Sequence, residues 1–165
     1  MVAKPKRMPR KAGGAAVART ETRIFRVALQ RKRSVWREIE IRSHHSLYDL
    51  ADSALQAFGF DFDHAFGFYS GSGQGLYRAN PRYELFTDLG EPTDEHALGV
   101  EKTSVATAFP QVGHRMTLLF DYGDECLFDV KLTGIERAEP HMRYPRLLRQ
   151  GGTAPEQYPS FDDDE

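Results

Sequence analysis

The chain has 165 residues, 40% of them hydrophobic and 28% charged, with a net charge of −2 at neutral pH. Those values fit a single globular domain and exclude a chain too polar to bury a core. No apolar run reaches the roughly 18 residues that a membrane helix needs, the apolar stretch after the first cations is too short for a signal peptide, and one cysteine rules out an internal disulfide framework. A cytoplasmic protein without membrane contact is expected.

The charge is unevenly spread. Lys4, Lys6, Arg7, Arg10, Lys11 and Arg19 precede every acidic residue, whereas Asp162, Asp163, Asp164 and Glu165 close the chain. Blocks of like charge repel and bury nothing. A disordered basic arm at 1–22 and a disordered acidic tail at 160–165 are therefore expected around one domain at 23–159. The arm can hold nucleic-acid phosphates by counterion release, which implies weak, sequence-independent binding. Within the domain, Arg31, Lys32, Arg33, Arg143, Arg146 and Arg149 are the basic clusters available.

In RIFRVALQ, Phe25, Val27 and Leu29 alternate with polar or smaller residues, as in a half-buried strand. VWREIEI repeats the pattern, with Val35, Ile39 and Ile41 on one side and Trp36 on the other, so the two strands read as an antiparallel hairpin. Ser46 and Asp49 then form a capping-box pattern before Leu47, Leu50, Ala51, Ala54, Leu55 and Phe58, whose spacing defines the apolar stripe of a helix. Gly59 suits the left-handed residue that ends it. Phe66 and Phe68 signal a third strand, and SGSGQG (70–75) a flexible loop. A strand after Pro81 and a helical turn around Val105, stopped by Pro110, are expected in the irregular middle. Met116, Leu118, Phe120 and Tyr122 share one face of a further strand, as do Cys126, Phe128, Val130 and Leu132 of the next. Gly123-Asp124 reads as a two-residue hairpin turn between them, with glycine at positive φ. The Pro- and Gly-rich stretch after Ala138 reads as an extended coil over the surface.

Few of these residues carry an obvious chemistry. Asp121 and Asp124 are the best carboxylate pair, suited either to a hard cation or to bracing their own turn. The six histidines lack the short ligand spacings of a zinc site, so no metal is expected. The 70–75 loop is not followed by Lys-Ser or Lys-Thr or by a phosphate-binding helix, and no nucleophile motif surrounds Cys126. No cofactor and no catalytic residue are therefore assigned. Trp36 and Arg37 could form a stacked pair at a binding surface or pack beneath the C-terminal coil.

Several features recur together in one order. They are Trp36-Arg37 in the second strand, Phe60, His64 and Phe66 after the helix, the Asp121-Tyr122-Gly123-Asp124 turn, Tyr144-Pro145, and a closing Gly151, Gly152, Pro155, Glu156. Over roughly residues 23–159 they resemble the plasmid pRi ORF-three-like family, also described as TnpR-like passenger proteins of an insertion element. The sequence departs from that pattern at Cys126, where tryptophan is usual, and at Phe128, where histidine is usual. The resemblance implies plasmid or mobile-element biology and marks His64, Tyr144, Pro155 and Glu156 as candidate binding or structural residues.

The expected architecture is α+β, a mostly antiparallel sheet covered by one main helix in β-grasp order, with an extended C-terminal coil. The expected function is a non-catalytic binding or interaction module, with a protein partner as one target. Its alternatives are a nucleic-acid binder using the basic arm and a metal-assisted hydrolase around Asp121 and Asp124.

Overall fold

The structure, a computed structural model, describes residues 19–158. Strand β1 (Glu21–Leu29) and strand β2 (Trp36–Arg42) form the expected hairpin, with Phe25 opposite Ile39 and Val27 opposite Arg37. The rest of the chain supplies β3 (Phe66–Tyr69), β4 (Arg82–Glu84), β5 (Ala97–Leu98), β6 (Arg115–Phe120), β7 (Cys126–Arg137) and β8 (Arg146–Gly151). All eight lie in one sheet in the order β5-β4-β3-β6-β7-β1-β2-β8. Every pair is antiparallel except β4 with β5.

Helix α1 (Leu47–Ala57) lies against the inner face of this sheet and is the only helix longer than four residues among those described. Its start is the capping box read from sequence. The Ser46 hydroxyl accepts from the Asp49 amide at 3.1 Å, and the Asp49 carboxylate accepts from the Ser46 amide at 3.1 Å. Its end is a Schellman turn, with the Phe60 amide on the Leu55 carbonyl and the Gly59 amide on the Gln56 carbonyl, both at 2.9 Å. Gly59 adopts φ +75°, a conformation that costs a residue with a Cβ roughly 1 kcal/mol or more. Leu47, Leu50, Ala51, Ala54 and Leu55 are all buried beneath it, in one cluster with Phe25, Phe66, Phe120, Val130 and the other inward residues. Short helices α2 (Leu85–Asp88) and α3 (Val105–Ala108) cover the flanks, and Phe109 after α3 packs edge-on against Phe25 with ring centres 4.9 Å apart.

Several expectations need correction. Strand β1 begins at Glu21, inside the segment expected to be a disordered arm, because Thr22 is buried and donates to Glu40 at 2.9 Å. The remainder of both tails lies outside the described residues. The C-terminal stretch is not all coil. Arg146–Gly151 pairs with β2 as an edge strand, since Arg146 and Arg149 find partners in Glu40 and Glu38. The β6–β7 connection is a five-residue loop rather than a two-residue turn, closed by the pair Phe120 and Cys126. Its positive φ angles fall on Asp121 (+63°) and Glu125 (+49°), not on Gly123. That left-handed step at Asp121 sends Tyr122 to the opposite face, away from Met116, Leu118 and Phe120. There it joins a second cluster with Tyr69, Leu76 and Leu119. The glycine-rich 70–75 segment is folded rather than open, with a 3-10 turn at Gly73–Gly75 held by the Gly75 amide on Ser72 O at 3.0 Å. The β-grasp order holds for the opening hairpin and helix but not beyond them, because β1 is antiparallel to both its neighbours.

Candidate functional site

Two of the sequence-derived candidates meet. His64 precedes β3, Asp121 follows β6, and the pairing of Phe66 with Phe120 brings the two strand ends together. His64 Nε2 lies 3.1 Å from Asp121 Oδ2 and 3.3 Å from the Tyr158 hydroxyl, while Nδ1 lies 2.8 Å from the Asp63 carbonyl oxygen. Its ring stacks on Phe120 at 5.9 Å. The other oxygen of Asp121 accepts from the Gly123 amide at 3.0 Å and the Asp124 amide at 3.4 Å, bracing the loop it begins. Asp124 is exposed and shares no ligand position with Asp121. Among the described residues, no group of three or more His, Cys, Asp or Glu side chains is placed to hold a metal ion.

The C-terminal segment docks on the same corner. Gln157 exchanges two hydrogen bonds with the Asp61 backbone, accepting at 2.7 Å and donating at 2.9 Å. The Tyr158 hydroxyl donates to the Asp63 carboxylate at 2.9 Å. Loss of water around that hydroxyl and its bond to Asp63 push the phenol up to about 12. These contacts belong to Gln157 and Tyr158, one and two positions past the motif residues Pro155 and Glu156. Both of those are exposed, and Glu156 makes no side-chain bond among the described residues. The corner is a clasp with its polar atoms engaged. A general base needs a ring nitrogen free to reach a substrate proton, and both nitrogens of His64 face acceptors supplied by the chain itself.

Trp36 and Arg37 point to opposite faces of β2 and do not stack. Trp36 lies on the outer face beneath the Arg26 guanidinium, 4.3 Å from its centroid, and against Gly151 of β8, where a Cβ would collide with the indole. Arg37 turns inward over the Phe58 ring and donates to the carbonyls of Ala57 at 3.0 Å, Gly151 at 3.0 Å and Gly152 at 3.2 Å. It ties the end of α1 to the end of β8, and burial lowers its pKa. Tyr144 accepts from the Glu139 amide at 3.0 Å, with Arg42 and Arg146 over its ring. Cys126 is a neutral thiol whose pKa is raised by burial.

A different constellation occupies the outer face of the sheet, and no local sequence signal announces it. Cross-strand register sets Arg115 of β6 opposite Lys131 of β7, and Lys131 opposite Arg26 of β1. The next pair along is Thr117 with Asp129. Arg115, Lys131, Thr117 and Asp129 floor an open cleft of about 400 Å³, walled by Ser70–Gly73 on one side and by Gln30 and Arg33 on the other, with Arg26 outside its lining. The wall is shaped by packing. Gly71 lies so close to the Gly75 backbone that only glycine fits, and Thr117 donates to the Gly71 carbonyl at 3.1 Å. Asp129 forms an ion pair with Arg33 Nε at 3.1 Å and accepts from Gln30 Nε2 at 3.0 Å, so both its oxygens are engaged. The side chains of Arg115 and Lys131 have no hydrogen bond or ion pair among the described residues. Six other cations that sequence singled out divide unevenly: Arg146 and Arg149 are bound to glutamates of β2 and Arg33 to Asp129, while Arg31, Lys32 and Arg143 make no ion pair among the described residues.

This architecture defines an α+β protein with one open, mostly antiparallel sheet. The chain belongs to the plasmid pRiA4b ORF-3-like protein family, whose model matches residues 22–158. Its fold is shared with the crystal structure of a protein of unknown function from Methanosarcina mazei Go1, at a TM-score of 0.65 and 13% identity, covering 82% of this chain and 71% of that one. No curated protein matches the sequence. No helix among the described residues is long and apolar enough to cross a membrane.

Proposed function

We propose that this chain is a non-catalytic binding module and that the outer face of β6, β7 and β1 is where it binds. The observation that carries the reading is the cleft between Ser70–Gly73 and Arg33, a concavity within the size range of small-ligand sites whose floor displays two cations without ion-pair partners among the described residues. The groups best suited to chemistry are occupied elsewhere, His64 and Asp121 in the clasp and Cys126 as a half-buried thiol. That is why a metal-assisted hydrolase around Asp121 and Asp124 is the weaker reading. The plasmid in the family description supports a tie to plasmid or mobile-element biology, and a cytoplasmic setting and a protein partner belong to the same proposal.

Nucleic-acid binding is the second reading. The Arg26–Lys131–Arg115 row favours it by giving the ordered domain a basic stripe of its own, to which the arm residues Lys4, Lys6, Arg7, Arg10 and Lys11, outside the described part, would add.

Two-dimensional NMR of the full chain with a panel of anionic, neutral and cationic small compounds tests the proposal. Binding-site shifts are expected at Ser70–Gly73, Arg115 and Lys131, with every compound recovered unchanged. Shifts centred on His64 and Asp121, with conversion of the compound, would replace the binding module by an enzyme.

A further inference from the structure

Resting on that reading, we infer that the cleft takes a small molecule carrying a phosphate group, whose oxygens sit between Arg115 and Lys131. The first argument is electrostatic. Like charges directly opposite on neighbouring strands destabilise a sheet, and at the cleft floor Arg115 stands opposite Lys131, whereas Arg26, next in the row, has Glu38 opposite it on β2. Three other cations have acidic partners: Arg146 with Glu40 at 3.0 Å, Arg149 with Glu38 at 2.9 Å, Arg33 with Asp129 at 3.1 Å. At the cleft floor the described residues supply none, since Asp129 is already held by Arg33 and Gln30. An anion from solution completes the arrangement.

The second argument is the chemistry of the donors. An arginine fork matches two phosphate oxygens at once, and a lysine adds a mobile point charge beside it. The exposed Ser72 hydroxyl on the wall offers a further neutral donor. The third argument is the size and the surroundings. A cleft of about 400 Å³ admits a small phosphorylated molecule. A nucleic-acid strand would also want an aromatic face for its bases. Trp36, the one tryptophan, has its ring taken by Arg26 and Gly151.

The test is calorimetric titration of the full chain with inorganic phosphate, pyrophosphate and adenosine diphosphate at constant ionic strength. It is repeated on Arg115→Gln and Lys131→Met after circular dichroism shows that both fold. Saturable binding is expected, tighter for pyrophosphate than for phosphate, with affinity reduced at least tenfold in each variant. Absence of saturable binding by all three compounds overturns the phosphate assignment, as does binding that is equal in wild type and both variants. If an uncharged compound shifts Ser70–Gly73 while no phosphate binds, the ligand class is wrong and the binding module stands. If a single-stranded oligonucleotide binds through Arg115 and Lys131 while the three compounds do not, the assignment falls to the nucleic-acid reading.

Discussion

Strand β6 has a polar constellation at each end, and the two are built on opposite principles. At its C-terminal end, Asp121 meets His64, the loop amides and, through His64, Tyr158, so that charges and dipoles close on one another. At its N-terminal end, Arg115 faces Lys131, and neither side chain has an ion-pair partner among the described residues. Both ends were assembled from distant parts of the chain. A group whose partners lie within the chain fastens that chain together, because leaving it unpaired would cost about 1–3 kcal/mol. A group without them costs the fold a little repulsion and keeps its bonding capacity for something else. The carboxylates and histidine that look most like catalytic chemistry in the sequence belong to the first kind.

The largest effect is expected in the strand that joins the two ends. Phe120 is buried in the main core and stacks on His64, so Phe120→Ala should lose about 3–5 kcal/mol in urea melts and abolish both the clasp and the phosphate response. Asp121→Ala comes next. It forfeits the loop-bracing bonds and places an alanine at φ +63°, and should cost about 2 kcal/mol while leaving ligand affinity at the cleft unchanged. Asparagine tolerates that conformation and keeps the bonds to the amides, so Asp121→Asn should cost about 1 kcal/mol or less. Added Mg²⁺ or Mn²⁺ should leave the melting temperature of either protein where it was. A metal-dependent rise in wild type alone would turn the clasp into a site.

At the other end the sign reverses. Without ligand, Lys131→Met should stabilise the protein by about 0.5 kcal/mol, because it removes one of two facing cations. A comparable loss would mean that Lys131 has a structural partner. The smallest effect concerns Tyr158. Its phenol ionises near 12 in the folded chain against about 10 in an unfolded one. A raised value favours the protonated, docked form, whose contribution is complete below pH 10 and fades as pH rises through 12. NMR signals of Gln157 and Tyr158 should therefore move to free-chain positions between those limits, with the core signals still in place.

The elements whose signals lie within one stretch of chain were legible in the sequence. Ser46, Asp49, the stripe from Leu47 to Phe58 and Gly59 specify α1 within a few turns of backbone, and the alternation in β1, β2, β6 and β7 follows from one buried face. Strand β8 was missed because Arg146 and Arg149 look like solvated charges until Glu40 and Glu38 are seen beside them. The loop after Phe120 was misread because glycine is the usual bearer of positive φ, whereas here Asp121 takes that role with its own carboxylate as brace. Of the site, His64 and Asp121 could be named but not joined. Gln157 and Tyr158 gave no signal beyond an ordinary polar residue and an ordinary aromatic one. The cleft was hidden most completely. Arg26, Arg115 and Lys131 are scattered along the sequence, and only register makes them neighbours.

The interior position of β1, between β7 and β2, constrains the order in which the protein can be made. Its hairpin partner β2 follows at once, and hairpins close in about 1–10 μs. Its other neighbour is β7, where Ile24 and Thr133, in contact, stand 109 residues apart in the chain. On the ribosome, at about 5–20 residues per second, the β1–β2 hairpin therefore waits on the order of ten seconds with one full edge and the apolar face of Phe25, Val27 and Leu29 uncovered. An open strand edge of this kind invites pairing with another chain. Nascent copies crowded on one message are the copies most exposed to it, and whatever shields that edge during synthesis governs how much protein reaches the folded state.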